Sequence, residues 1–376
     1  MDYMPRTRKL LKFMGFVPPN RAVTTYFLSQ TIQQVMLIYF LLGGITYTIQ
    51  TIEESKIQVL TKIETSLVLF ILVTLYYGYL SLYYIKNDVE IVFDKINSMN
   101  EFGHLEKASR KHELIDYINV FMVGFCGFGG FLICTVTVFD MKNCKKYNLE
   151  HDTTILCGFT VGFKYPYDIC CGFLYYFHWV FQFLVTILLT TKGTVFVGSG
   201  FSFYMAIISR CEDLCDQLRK FNTYDDFNDR RKCLHHCIYY HIRIIELADY
   251  INGCFSWVTF PCIVSHNIVI GVGCMGMMTG ISVLSFLPTI TWIGALFFAC
   301  YLGEQVMQAS TEIAVVAYEL DWYKDTKLRR DILMMILRAQ KPIRLKCGNF
   351  GELSMVTFKK IMQSAYAYAT MQANNT

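Results

Sequence analysis

Apolar positions along the chain gather into six long runs, approximately Phe27 to Ile49, Ile63 to Ile85, Tyr117 to Phe139, Gly172 to Val195, Cys254 to Met278 and Leu284 to Gln308. A helix needs roughly 20 mostly apolar residues to cross about 30 Å of hydrocarbon. Each run supplies them, so the pattern predicts six membrane helices. A seventh apolar stretch, Phe350 to Met371, is interrupted by Lys359 and Lys360. Between the runs, segments 86–116, 200–253 and 310–349 are long enough to carry structure of their own. In them Ile207, Cys211, Leu214, Cys215 and Leu218, and again Leu234, Ile238, His241, Ile242 and Ile245, recur at helical spacing with charged residues between. These read as extensions of the membrane helices that pack on one another outside the bilayer. No repeat of fixed period and no low-complexity tract interrupts the pattern.

The basic residues assign the sides. The N-terminal tail and the three long segments carry 25 Lys and Arg, whereas the opposite loops carry six: Lys56, Lys62, Lys142, Lys145, Lys146 and Lys164. Positive residues stay in the cytoplasm, so the N-terminus is expected inside and, after seven spans, the C-terminus outside. This is the inverse of a G-protein-coupled receptor. The first apolar run is too long for a signal-peptide core and lacks a small-residue cleavage site, so it reads as a permanent span. The expected fold is all-α: a seven-transmembrane helical bundle with intracellular N-terminus and extracellular C-terminus, its cytoplasmic helical extensions forming an anchor region. Its parts are a cytoplasmic N-tail (1–26), a six-helix membrane bundle with the 200–253 extensions (27–310), and an anchor segment with the C-terminal helix (311–376).

Composition agrees with a bilayer as solvent, at 54% hydrophobic and 17% charged residues. No long basic block interleaved with aromatics is present, so no nucleic-acid partner is expected. The fifteen cysteines show no C-x-x-C pairing. Cys144, Cys157, Cys170 and Cys171 cluster in one inter-span loop, where a disulfide is possible if that loop faces an oxidising space. Cys233, Cys237 and His241 share a helix face without an evident fourth ligand, which favours packing over a metal site. His178, His266 and Glu304 lie within spans, where ionisable side chains are candidates for function; Glu304 is assigned a structural role at a helix junction. Asp229-Arg230-Arg231 precedes the fifth span instead of ending the third, so it is not read as a G-protein contact. Asn374-Asn375-Thr376 fits a glycosylation sequon but ends the sequence beside the last helix. There is no nucleophile, base and orienter set, no pair of intramembrane acids and no repeated half. Neither an enzyme nor a transporter is expected, and no cofactor or metal.

Lys359 and Lys360 constrain the last helix, because a lysine facing lipid at mid-bilayer costs roughly 2.5 to 3.5 kcal/mol. The span begins after them, or they face water or protein within an assembly, or the helix starts deep enough in the cytoplasm to hold them at the headgroups. The first two readings point to a helix lining an aqueous passage.

From Phe297 onward the chain resembles the insect odorant receptor family. The resemblance rests on Phe298-Ala299-Cys300-Tyr301-Leu302-Gly303-Glu304, Ser310, Tyr318, Trp322-Tyr323, Arg338-Ala339-Gln340-Lys341-Pro342, Gly348-Asn349-Phe350, Leu353-Ser354, Phe358 and the terminal Ser364-Ala365-Tyr366-Ala367-Tyr368-Ala369-Thr370-Met371. Ala367 and Ala369 depart from the serine and phenylalanine usual there. Gustatory receptors share the inverted layout and are the alternative; Tyr366 and Gln372 fit their terminal spacing, but Ala365 and Ala373 replace its threonine and phenylalanine. The resemblance implies a plasma-membrane, multi-pass subunit of a heterotetrameric, ligand-gated, non-selective cation channel. The 200–253 segment leaves no room for the large insertion of the family's co-receptor, so this chain resembles an odour-tuning subunit that assembles with co-receptor subunits. The family's last helix surrounds the pore, which puts Met371 at an apolar constriction and Asn374 at a polar ring. A volatile ligand is expected in an apolar pocket in the outer half of the bundle. Candidates at helical spacing are Leu69, Val73 and Tyr76 on the second span; Gly127, Gly130, Phe131 and Cys134 on the third; and Phe173, Tyr176, Phe177 and Val180 on the fourth. Their aromatic density suggests a flat, small ligand such as a phenol or indole. For the glycines, close helix packing is the competing reading.

Overall fold

The structure is a computed structural model that describes residues 5–16, 23–55, 57–102, 106–139, 141–151, 157–159, 161–162, 172–280, 282–324, 326–348 and 351–373. Among the described residues eleven α-helices follow one another: α1 (Pro5–Phe13), α2 (Val23–Glu53), α3 (Val59–Tyr84), α4 (Lys86–Ser98), α5 (Glu106–Phe139), α6 (Met141–His151), α7 (Phe173–Lys220), α8 (Phe227–Thr279), α9 (Val283–Tyr318), α10 (Arg329–Ala339) and α11 (Met355–Ala373). Among the described residues there is no strand, only an isolated antiparallel bridge between Lys346 and Glu352.

Six of these helices are long and apolar enough to cross a membrane: α2, α3, the Asp116–Phe139 part of α5, α7, α8 and α9. They coincide with the six apolar runs of the sequence. α7 is packed against α3, α5, α8 and α9, and α3 also lies on α8. Pro261 sits inside α8 and Pro288 inside α9; neighbouring helices keep such positions tolerable in a membrane helix.

The extensions form as the spacing predicts. α7 runs 48 residues and α8 53, well beyond the roughly 20 a span requires, and the excess packs into an inner layer where Ile207, Cys211, Leu214, Leu218, Leu234 and Ile244 are buried. Cys237 and His241 are buried in the same seam. Segment 86–116 is different: α3 stops at Tyr84 and α4 restarts at Lys86, because Ile85 leaves helical geometry at φ −92° and ψ 13°. Arg210 of α7 joins the two layers. Its fully buried guanidinium donates to the carbonyl of Ile96 at 2.9 Å and to Asn100 Oδ1 at 2.7 Å. It thereby supplies donors to carbonyls left over where α4 ends.

α1 docks on α5 and α7. Asp116 of α5 accepts the backbone N–H of Arg6 at 2.9 Å and of Thr7 at 2.7 Å, which caps the start of α1 with a carboxylate from another helix. At the far end, Phe16 meets Tyr79 edge to face at 5.6 Å. Lys192 of α7, buried nearby, donates to Gln33 Oε1 and lies 4.6 Å from the Tyr79 ring.

α11 starts at Met355, so Lys359 and Lys360 fall in its opening turns and both are exposed. Its packed face is Ile361, Ala365 and Ala369, one turn apart, laid on α8 and α9. Glu304 of α9 lies at the junction expected of it: Oε2 accepts the N–H of Met355 at 3.5 Å, where α11 begins. Gly303 beside it approaches the Leu353 backbone so closely that a Cβ there would overlap the Leu353 carbonyl.

Candidate functional site

A cavity of about 750 Å³ opens where α2 and α5 end and α3 and α9 begin, at the opposite end of the bundle from the inner layer. Its size falls in the range of small-molecule sites, about 300 to 1,000 Å³. Part of its wall is a loop that turns back into the bundle. Gln182 of α7 holds that loop through both of its amide atoms: Nε2 donates to the Val161 carbonyl at 2.9 Å, and Oε1 accepts the Val161 N–H at 3.5 Å. The Tyr175 hydroxyl donates to the Cys157 carbonyl at 3.2 Å, and the Phe159 and Tyr175 rings meet edge to face at 5.1 Å. Gly162 lies against the Tyr47 ring, where any side chain would overlap it.

A disulfide between Cys144 and Cys157 ties this loop to α6. It is drawn from the four cysteines singled out in the sequence; Cys170 and Cys171 lie outside the described residues.

The cavity wall is mixed. Val68, Val136, Phe139, Phe159, Val161 and Leu284 supply apolar surface, while Gln58, Thr61, Glu64, Thr65, Thr137 and Asn143 supply polar atoms. The Ser282 hydroxyl donates to Glu64 Oε1. Ser282 also accepts the Ser285 N–H at 3.2 Å, capping α9. One side chain thus fixes both the start of α9 and the orientation of the carboxylate.

None of the residues proposed from sequence for ligand binding is among those lining this cavity. Phe173, Tyr176, Phe177 and Val180 lie on the outside of α7, 82%, 68%, 55% and 47% exposed. Val73 and Phe131 are also exposed, Leu69 is half-buried, and Tyr76 is half-buried with its hydroxyl on Gln34 Oε1 at 2.9 Å. Cys134 is buried one turn before the Thr137 that does line the cavity. Gly127 and Gly130 sit where α5 meets α7; a Cβ would stand 3.1 Å from Thr191 Cγ2 at the first and 3.0 Å from Thr190 Oγ1 at the second, so both serve close packing. Of the pore candidates, Met371 is exposed on the free face of α11, and Asn374 lies outside the described residues.

Glu64, Ser282, Gln182 and the returning loop were not anticipated from sequence. A signal for Glu64 existed, since it is an acidic residue inside the second apolar run. His178 is buried, and the His266 ring meets that of Trp292 at a tilt, 4.5 Å between centroids, with Nδ1 2.7 Å from the Cys262 carbonyl. Among the described residues no group of three or more His, Cys, Asp or Glu is placed to hold a metal ion.

An all-helical bundle with six helices fit to cross a bilayer, and a ligand-sized cavity at one end, defines a multi-pass membrane protein. The pattern of the 7tm Odorant receptor family matches residues 57–366, and the chain belongs to that family. It is an odorant receptor of the insect type, placed in the plasma membrane by its class. Similar proteins include Odorant receptor 85b of Drosophila melanogaster, 25% identical over 167 residues (43% of each chain), and Odorant receptor 63a of the same fly, 28% identical over 155 residues (39% of this chain, 37% of the relative). These matches span less than half the length of either relative. The fold resembles insect olfactory receptor OR5 from Machilis hrabei in complex with eugenol, with a TM-score of 0.75 at 12% identity, covering 100% of this chain and 98% of that one. It also resembles the structure of OR5 alone, with a TM-score of 0.67 at 13% identity, covering 98% and 97%.

Proposed function

We propose that this chain is the odour-tuning subunit of a heterotetrameric, ligand-gated cation channel that assembles with the family's co-receptor. A small volatile ligand enters the 750 Å³ cavity from the exterior, and the C-terminal helix α11 lines the ion path. The observation that carries this reading is the division of α11 into two faces. Ile361, Ala365 and Ala369 pack inward on α8 and α9, while Lys360, Gln363, Ala367 and Met371 project from the opposite side. Lysine and glutamine on that side are costly against lipid and favourable against water. Met371, near the far end, gives the free face an apolar side chain of the kind that gates by dewetting.

The excess of Lys and Arg in the N-tail and inner segments supports an intracellular N-terminus and an extracellular end for α11. Eugenol is the ligand named with the OR5 structure, and a cavity of this size accommodates a molecule of that class.

Expression with the co-receptor in oocytes under voltage clamp, against a panel of aromatic, ester and terpene volatiles, tests the reading. Odour-evoked cation current is expected from the pair and little from this subunit alone. A cytosolic C-terminus, or silence of a complete surface assembly to every volatile, overturns it.

A further inference from the structure

We infer that α1 is a membrane-surface helix whose outer face binds anionic phospholipids of the cytoplasmic leaflet through Lys9 and Lys12, with Phe13 seated among their acyl chains. The inference rests on the intracellular N-terminus proposed above.

Both ends of α1 are pinned where the bundle leaves the bilayer. Its first amides bond to Asp116, where the membrane-crossing part of α5 begins. Just past its last turn, Phe16 packs on Tyr79 near the end of α3. A helix fastened in this way lies along the membrane surface.

Thr7 and Leu11 form its buried face. On the flank where Arg6 stands, the guanidinium lies 3.5 Å from the centroid of the Tyr117 ring and donates to the Tyr117 hydroxyl at 2.5 Å. Tyr117 is exposed and heads an outward stripe of α5 that continues through Phe121 and Phe125, so this flank adjoins lipid. Phe13, two turns on from Arg6 and therefore on the same flank, is 85% exposed. The opposite flank turns toward the inner layer: Arg8 Nη2 is 3.6 Å from Asp94 Oδ1 of α4. Lys9 and Lys12 occupy the crest between the two flanks, both exposed and without an ion pair among the described residues. α1 contains no acidic residue to answer them. The negative surface of the inner leaflet supplies the missing anion, and each lysine held there raises affinity about fivefold. An exposed phenylalanine beside the two lysines fits lipid better than a soluble polyanion, which would leave the ring in water.

The complete assembly carrying Phe13→Trp is reconstituted in symmetric phosphatidylcholine vesicles that contain either dibrominated phosphatidylserine or dibrominated phosphatidylcholine. Quenching of the new tryptophan is read after subtracting the emission of the unsubstituted assembly. Brominated phosphatidylserine should quench with about fivefold or greater apparent affinity than brominated phosphatidylcholine. Lys9→Gln combined with Lys12→Gln should bring that ratio close to one, with size-exclusion elution unchanged. Weak quenching by both lipids, which places the ring in water or under another subunit, overturns the inference. So does equal quenching by the two, or a phosphatidylserine preference that survives the paired lysine substitutions. An N-terminal epitope that antibody reaches on intact cells overturns the cytoplasmic leaflet as the source of the lipid. The ratio in symmetric vesicles reads either leaflet, so it separates that failure from a loss of lipid binding.

Discussion

Asp116 and Thr7 are joined twice: one carboxylate oxygen accepts both the backbone N–H of Thr7, at 2.7 Å, and its hydroxyl, at 2.6 Å. Both residues are buried, 109 positions apart in sequence. The amides that open the first helix are thus capped by a side chain of α5. Replacing Asp116 with alanine leaves the amides of Arg6 and Thr7 without their acceptor, at a cost of roughly 1–3 kcal/mol. Thermal unfolding of the purified protein should shift down accordingly. Asp116→Asn, which keeps one carbonyl acceptor, should lose less.

Gly303 tests how α11 is seated. A methyl group at this position overlaps the Leu353 carbonyl, which is backbone and not a side-chain tip able to swing aside. Gly303→Ala is expected to cost roughly 1–3 kcal/mol through forced displacement of the segment leading into α11. Gly294→Ala, where open space surrounds the Cβ, is the matched control and should be close to neutral in the same unfolding assay.

The Cys144–Cys157 disulfide closes a loop with a sequence separation of 13. Cys144→Ser should remove roughly 2–4 kcal/mol of support for the returning segment. Non-reducing peptide mapping should find the cross-link in the wild type, and the reductant-dependent drop in melting temperature should vanish in the variant.

Cys347 precedes α11 and is 4% exposed. Burial pushes its thiol up to about 12, so it stays protonated at pH 8. Maleimide should label it in the folded protein far more slowly than in denaturant, as mass spectrometry of the 347 peptide will show. The sign of its pH dependence follows. The unfolded thiol ionises near 8.5, so the stability this group contributes is intact below that pH and declines as pH rises from there toward about 12.

The spans could be located from sequence because a run such as Ile63 to Ile85 is long enough to mean a membrane helix in any context. The inner layer could be read too, since Leu214, Leu218 and Leu234 alternate with charge and water enforces that contrast. The cavity could not. In a bilayer, the outside of a helix is as apolar as its inside, so Phe173, Tyr176, Phe177 and Val180 carry the same pattern whether they meet lipid or a ligand. Part of the wall comes from Cys157, Gly158, Phe159, Val161 and Gly162, whose return into the bundle is held by Gln182 and the disulfide. The cysteine cluster was visible in the sequence but not which pair would close, and nothing there marked Gln182 as the partner of Val161.

Gln182, which grips the cavity wall, and Arg210, which closes α4, belong to the same unbroken helix, 28 residues apart and hence about 42 Å along its axis. A stiff rod fastened at both places has few ways to absorb a disturbance locally. Any displacement of Val161 therefore bears directly on a helix whose other end is fastened to Ile96 and Asn100.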